Sequence, residues 1–345
     1  CLEELTLLCH HCGERIWQRS NRGTDSIPLC DDCYDAYYTH CDCCGRLLHQ
    51  DEVYYDEEDT LCWTCYETRQ RERESIHAYY YKPTPIFYGD GPRFFGVELE
   101  MDEGGEDTDS AAEILAQANF AGQIHAYAKH DGSLNDGFEI VTHPMTLPYH
   151  LSEMPWKDVL RKAVSLGYLS HRATTCGLHV HVNRDFFGKG ETARALAEYK
   201  LLTVADRFFE PLAIFSRRRR DRLDQWAGRT CLPASRDGWL ASARGAARVS
   251  RDTRYHAVNT TNEHTIEFRL FRGTLKPETL LATFQFVAGL CHLAKASTPG
   301  MLQRVNWYEL ADGVLDACPT ESDELAAYLL ARELMTEGRR GALCA

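Results

Sequence analysis

Ten cysteines fall between Cys1 and Cys65, and eight of them form four Cys-x2-Cys pairs: Cys9/Cys12, Cys30/Cys33, Cys41/Cys44 and Cys62/Cys65. A Cys-x2-Cys turn aims two thiolates at one point. Two such turns make a tetrahedral four-sulfur site, which zinc takes first and an iron–sulfur centre second. A disulfide framework fits less well, because adjacent Cys-x2-Cys pairs are strained as disulfides and no secretory signal precedes them. Seventeen residues separate the pairs within each half, and a shift of 32 residues superimposes the first half on the second. Cys-Gly recurs in both halves (Cys12-Gly13, Cys44-Gly45), as does Cys-Tyr (Cys33-Tyr34, Cys65-Tyr66). This internal repeat predicts two structural Zn²⁺ ions, one per half, with cross-braced pairing left open. Cys43 is a spare thiol, and a chain that starts at Cys1 without Met reads as trimmed or processed.

A second set of chemically capable residues sits in alternating segments farther along. Phe95-Gly96-Val97-Glu98-Leu99-Glu100-Met101 alternates apolar with acidic, Leu178-His179-Val180-His181-Val182 apolar with imidazole, and Ile266-Glu267-Phe268-Arg269-Leu270 apolar with ionic; Phe138-Glu139-Ile140 is a shorter version. Each alone also describes a solvated strand face. Side by side, the four strands would put Glu98, Glu100, Glu139, His179, His181, Glu267 and Arg269 on one face. Four carboxylates facing one another destabilise a sheet. Divalent cations would compensate, Mg²⁺ or Mn²⁺ for a carboxylate-dominated set with imidazoles. Arg269 beside them suits a phosphate, and metals, acids and Arg together suggest phosphoryl chemistry. No Gly-x4-Gly-Lys-Ser/Thr loop occurs, so a nucleotide would not be held by a P-loop.

The elements that must position these residues read as follows. Residues 1–70 form the zinc-binding module, 71–92 an extended linker through Tyr79-Tyr80-Tyr81, and 93–345 a second domain with C-terminal helices over 301–345. Helical spacing covers Thr192 to Phe215, Glu278 to Ala296 with Pro277 in its first turn, and Asp323 to Thr336. One-sided strands with interspersed helices predict an α+β fold, a mainly antiparallel sheet with helices on its apolar face. The run Arg217 to Arg220 with Arg222 is either a solvated helix end or a source of arginines for a nucleotide or acidic substrate. Cys176 is a candidate for the site's edge, while Cys231, Cys291, Cys318 and Cys344 show no metal spacing.

The whole chain has 345 residues and a net charge of −13, but residues 1–75 hold 17 acids and 7 bases and so carry −10 of it. Such a chain is a poor non-specific nucleic-acid binder, and its acidic module favours a protein partner. No apolar run reaches the roughly 18 residues of a membrane span, and the N-terminus lacks a signal-peptide layout. A cytoplasmic protein without membrane or nucleic-acid partners is expected.

Two resemblances extend this reading. The first 70 residues are similar to a LIM domain, a double zinc finger that binds proteins, in their Cys-x2-Cys-Gly starts and Cys-x2-Cys-Tyr ends. They depart from it in offering Cys30 where LIM domains use His, and in placing seven residues, not two, between Cys33 and Cys41. The segments FGVELEMD (95–102), KHDGSLNDGFEIVTHPMT (129–146), CGLHVHVN (176–183) and TIEFRLFRGTLKP (265–277) resemble the amidoligase family, grouped with glutamine synthetase and glutamate–cysteine ligase. The resemblance covers roughly residues 93–300 and implies a glutamine synthetase-like sheet and ATP-dependent joining of a carboxylate to an amine. It implies Glu98 and Glu100 as ligands of two Mg²⁺ or Mn²⁺ ions, Glu139 on the first metal, His179 on the second, and Glu267 as a further ligand. It implies His181 and Arg269 as phosphate contacts, with Arg272 assisting and Lys129 on the cofactor side. Asp131 and Ser133 would lie near substrate, Asp131 taking the amine's proton. Leu147 stands where glutamine synthetase has a further Glu, so the first metal's shell is built differently, with His143 as a replacement. Three other readings stay open here: a phosphotransferase on the same sheet, a hydrolase built on His179 and His181, and an inert adaptor.

Overall fold

The structure, a computed structural model, describes residues 5–56, 58–73, 75–232, 246, 250–317, 322–336 and 338–339. It divides into two compact units, Cys1–Glu74 and Ser75–Ala345.

The first unit repeats itself as its cysteines do. Strands β1 (Thr6–Leu8) and β2 (Arg15–Trp17) form one hairpin, β3 (Tyr38–His40) and β4 (Leu47–His49) its counterpart, and β5 (Tyr54–Asp56) and β6 (Asp59–Leu61) a third. Helices Asp31–Tyr37 and Trp63–Arg73 each follow the first cysteine of a second pair. Gly13 and Gly45 sit at φ +77° and +71°, where a side chain would strain the turn. The seven residues between Cys33 and Cys41 are the end of the first helix and β3. Each half buries little: Leu29 with Cys9 and Cys33 in one, Leu48 and Leu61 with Cys41 and Cys62 in the other.

The second unit is built on a seven-stranded sheet. Its strands are β7 (Ile76–His77), β8 (Phe95–Met101), β9 (Ala126–Lys129), β10 (Phe138–Thr142), β11 (Gly177–Asn183), β12 (Val258–Asn259) and β13 (Thr265–Arg272), in the order β12-β13-β11-β8-β10-β9-β7. All neighbours are antiparallel except β7 and β9. The segment expected as a linker therefore contributes a strand, and Tyr88 within it is buried and bridges Met145. Alternation along the strands buries Val97, Leu99, Phe138, Ile140, Leu178, Val180, Ile266 and Phe268 in one cluster with the helices.

Helix Pro277–Ala296 is the spine of that cluster. It is long and apolar enough to cross a membrane, but 72% of that stretch is buried inside the unit. A Cβ at Gly289 would come to 2.4 Å from the Val314 carbonyl oxygen on helix Trp307–Asp316, so only glycine allows this approach. Gly289→Val is expected to cost about 1–3 kcal/mol, read as a fall in the urea midpoint of the second unit.

Two helices differ from the sequence expectation. The stretch expected as one helix over 192–215 is two, Glu191–Arg207 and Phe209–Ser216. Pro211 explains the break, because in a continuous helix its ring would meet the carbonyl of Arg207 and its missing N–H would leave a gap. The last helix ends at Ala331, followed by Glu333 at φ +57°.

Candidate active site

The polar faces of β8, β10, β11 and β13 line a cavity of about 670 Å³. Register decides who meets whom. His179 stands opposite Glu98, Glu139 opposite Glu100, and His181 opposite Glu267. His179 Nδ1 lies 3.0 Å from Glu98 Oε2 and 3.8 Å from Glu267 Oε1, and its Nε2 lies 3.6 Å from Glu100 Oε1. His181 Nε2 lies 3.2 Å from Glu98 Oε1. Arg269 donates to Glu267 Oε1 at 2.5 Å, while Asn259 and Asn262 donate to Glu267 Oε2 at 2.7 and 3.2 Å. The Gly177 N–H donates to Glu100 Oε2 at 2.5 Å, and Lys129 Nζ donates to Glu139 Oε1 at 2.9 Å.

Burial and charge split the four carboxylates into two kinds. Burial disfavours the charged form of Glu98, but His181 and His179 more than offset it and hold this carboxyl well below the ordinary range. Burial likewise acts on Glu267, where His181, His179 and Arg269 prevail and lower it. Glu139 goes the other way: burial and the Glu98 charge push it up to about 8 against the pull of Lys129. Burial also raises Glu100. His181, disfavoured as a cation by burial, is raised to about 9 by Glu98 and Glu267.

These groups fit a divalent cation. Glu98, His181 and Glu267 present ligand atoms within 4.8 Å of one another. The Nε2 atoms of His179 and His181 are both buried without a well-aligned hydrogen bond and face only the carboxylates of Glu100 at 3.6 Å and Glu98 at 3.2 Å, an arrangement that an added cation would complete. The grouping puts His181, expected on phosphate, among the candidate ligands. His179, expected as a ligand, sits between Glu98, Glu100 and Glu267. Hard oxygen donors with an imidazole suit Mg²⁺ or Mn²⁺.

Asp131 and Ser133 line the same cavity, and the Ser133 N–H donates to Asp131 Oδ1 at 2.7 Å. Asp102 pins this loop. Fully buried, its carboxylate accepts from the backbone of Glu103, Asn135 and Asp136 and from the Thr175 hydroxyl. Nothing in residue type separated Asp102 from its neighbours; only the loop folded onto it shows its task.

The structure corrects three expectations. Arg272 does not line the cavity. Between the pairs Leu178–Phe271 and Val180–Phe268, β13 has one residue more than β11, and this bulge sets Arg272, three residues beyond Arg269, opposite Gly177 at the strand's end and outside the cavity lining. His143 does not replace the missing Glu: it is buried, and its Nδ1 accepts from the Ile86 N–H at 3.2 Å. Leu147 is buried at the start of helix Leu147–Ser152, and Lys129 holds Glu139 instead. Cys176 is buried off the cavity, and burial pushes its thiol up to about 12. Cys231 is exposed and Cys291 buried, whereas Cys1, Cys318 and Cys344 lie outside the described residues.

The basic run divides. Arg218 and Arg222 line the cavity, and Arg218, buried, donates to the Arg269 carbonyl at 2.8 Å. Arg219 and Arg220 are exposed and pair with Asp221 and Glu210. Arg254, Trp226, Tyr79, Tyr80 and Lys82 also reach the cavity, from segments without alternation that would have marked them.

In the first unit, the sulfurs of Cys9, Cys12, Cys30 and Cys33 converge, as do those of Cys41, Cys44, Cys62 and Cys65. The grouping is sequential, one site per repeat, and both sites can hold zinc. Burial raises the Cys9 and Cys41 thiols, but donated backbone N–H groups outweigh it and bring both to about 6. Cys43 stays exposed and outside both groups.

Residues 121–291 match a family model described as "Putative amidoligase enzyme". No curated protein matches. Among solved structures, a chain of the complex between Prokaryotic Ubiquitin-like Protein Pup and its ligase PafA is similar at a TM-score of 0.36 and 10% identity, over 73% of this chain. The match spans 64% of that chain's length. The segment matched by the family model holds β9 to β13 with Glu139, His179, His181, Glu267 and Arg269, while Glu98 and Glu100 precede it on the neighbouring strand. Residues 121–291 of the second unit thus match the amidoligase family model.

Proposed function

We propose that the chain is an ATP-dependent carboxylate–amine ligase that forms an amide or isopeptide bond. The observation that carries this is the meeting of Glu98, Glu100, Glu139 and Glu267 with His179, His181 and Arg269 in one cavity, with two buried imidazole nitrogens that make no well-aligned hydrogen bond. Glu98, His181 and Glu267 would hold one Mg²⁺ or Mn²⁺, and Glu100 and Glu139 contribute to a second. When bound, such ions neutralise phosphate oxygens and the charge that develops between them.

Arg269 is held by Glu267 and stands ready for the transferring phosphoryl group, with Arg218 and Arg222 behind it. An oxygen of the substrate carboxylate bonds to the γ-phosphorus, and ADP leaves with the electrons of the broken P–O bond. The amine then attacks the acyl carbon, phosphate departs, and Asp131 takes the amine's proton. Lys129 pulls the Glu139 carboxyl, raised by burial and by Glu98, back toward its charged form. The first unit, acidic and carrying exposed aromatics such as Trp63 and Tyr55, serves as a docking module for a protein or peptide partner. We place the protein in the cytoplasm.

The test incubates the full chain with ATP, Mg²⁺, a carboxylate and an amine, following ADP release and searching by mass spectrometry for condensation with loss of water. Arg269→Ala is expected to lower turnover on the order of 10²–10³-fold. Unchanged turnover would sink the assignment, and a stable phosphorylated product in place of an amide would point to a phosphotransferase.

A further inference from the structure

A second group of cations lies off the cavity, assembled from four stretches of chain. The loop before β11 brings His171 and Arg172, β13 ends on Arg272, helix Phe209–Ser216 is capped by Arg217, and helix Asp323–Ala331 is followed by Arg332. Contacts among the four stretches pin them together. Arg272 pairs with Gly177, and the Gly273 N–H donates to the Cys176 carbonyl at 3.0 Å. The Phe215 ring packs edge-on against Phe271 at 6.0 Å and Tyr328 at 5.0 Å. The Tyr328 hydroxyl donates to the Phe215 carbonyl at 2.6 Å, and Arg332 donates to the Ile214 carbonyl at 3.3 Å.

Among the described residues, no acid answers His171, Arg172, Arg217 or Arg272. Arg194, Arg219, Arg220 and Arg229 each have an Asp or Glu partner. The cations act on one another instead: burial lowers His171 first, and Arg217, Arg272 and Arg172 lower it further. Arg217 holds a left-handed backbone at φ +57°, unusual for a residue with a side chain, and its Nε is buried without a hydrogen-bond partner. In a chain of net charge −13, cations gathered without counter-charges are an unmet demand for anions.

We propose that His171, Arg172, Arg217, Arg272 and Arg332 form a docking track for an acidic peptide segment, which carries the carboxylate that the cavity consumes. The track meets the cavity at Gly177. That residue faces Arg272 across the ladder and donates its N–H to Glu100, and a Cβ built on it would come within 3.4 Å of Arg218. Cations from four stretches of chain exceed what the oxygens of one phosphate engage and suit a run of carboxylates. The chain's net negative charge disfavours a nucleic acid in the same place. The docking itself stands on this cluster alone; the identity of the docked segment as carboxyl donor rests on the ligase reading.

The test is fluorescence anisotropy of a labelled hexaglutamate peptide with the full chain, without ATP. Arg172→Gln with Arg272→Gln should weaken binding at least about tenfold, whereas Arg219→Gln with Arg220→Gln should leave it unchanged. Equal affinity in the two double variants overturns the track. So does an oligonucleotide of matched charge that binds more tightly, or inorganic phosphate that displaces the peptide at equal concentration. Adding ATP, Mg²⁺ and an amine separates the two readings. Arg-dependent binding with no amide on the peptide upholds the track and overturns its role as donor. Ligation of a small carboxylate without peptide binding upholds the ligase and overturns the track.

Discussion

Glu98→Gln is expected to abolish Mn²⁺ binding in the cavity and to lower ATP-dependent turnover on the order of 10²–10³-fold, with the fold intact. Glu98 is the carboxylate that both histidines face, with one oxygen 3.2 Å from His181 and the other 3.0 Å from His179. Those imidazoles more than offset its burial and keep it well below the ordinary carboxylate range, so it is charged at neutral pH. Glutamine keeps the shape but removes the charge and one acceptor. His181 then loses the first of the two carboxylates that raise it to about 9. Electron paramagnetic resonance of free Mn²⁺ measures the binding, and ADP release measures the turnover. Undiminished Mn²⁺ binding in this variant would move the primary ion to Glu100 and Glu139.

Removal of metal from the first unit is expected to unfold it. Each half is a roughly thirty-residue repeat with only Leu29, or Leu48 and Leu61, fully enclosed beside its cysteines. Chains below about 40 residues seldom enclose enough apolar surface to fold unaided. A structural zinc site contributes on the order of 10 kcal/mol at neutral pH, which exceeds anything such cores supply. Treatment with a chelator should release two zinc equivalents per chain, counted with a colorimetric indicator. Amide hydrogens across residues 5–73 should lose their protection from exchange. Cys33→Ser and Cys65→Ser should each halve the zinc content and expose only their own repeat. Protection that persists without metal would show that side-chain packing alone holds the unit.

Much of both units was legible in residue order because local periodicity is a physical constraint. A strand buried on one face must alternate, so Glu98 and Glu100, His179 and His181, and Glu267 and Arg269 had to share faces with their neighbours. The 32-residue repeat likewise made a four-sulfur site per half the simplest pairing, and the structure groups the cysteines that way. Other features depend on contacts between segments far apart in sequence. The bulge in β13 that sets Arg272 opposite Gly177, three residues beyond Arg269, leaves no mark in the alternation. Arg218 and Arg219 are indistinguishable as letters, but Arg218 is buried beside Arg269 while Arg219 is exposed and pairs with Asp221.

What the sequence by itself determined is which residue types share a strand face and which cysteines share a Cys-x2-Cys turn, since both follow from spacing along one short stretch of chain. What only the tertiary structure decided is which face meets which. Strand order set Glu139 beside Glu100 and Lys129, loop packing set Asp102 against Asn135 and Asp136, and the joining of four distant stretches set Arg172 and Arg272 in one field. Those outcomes depend on register and on long-range packing, and neither leaves a periodic mark on the residues that it brings together.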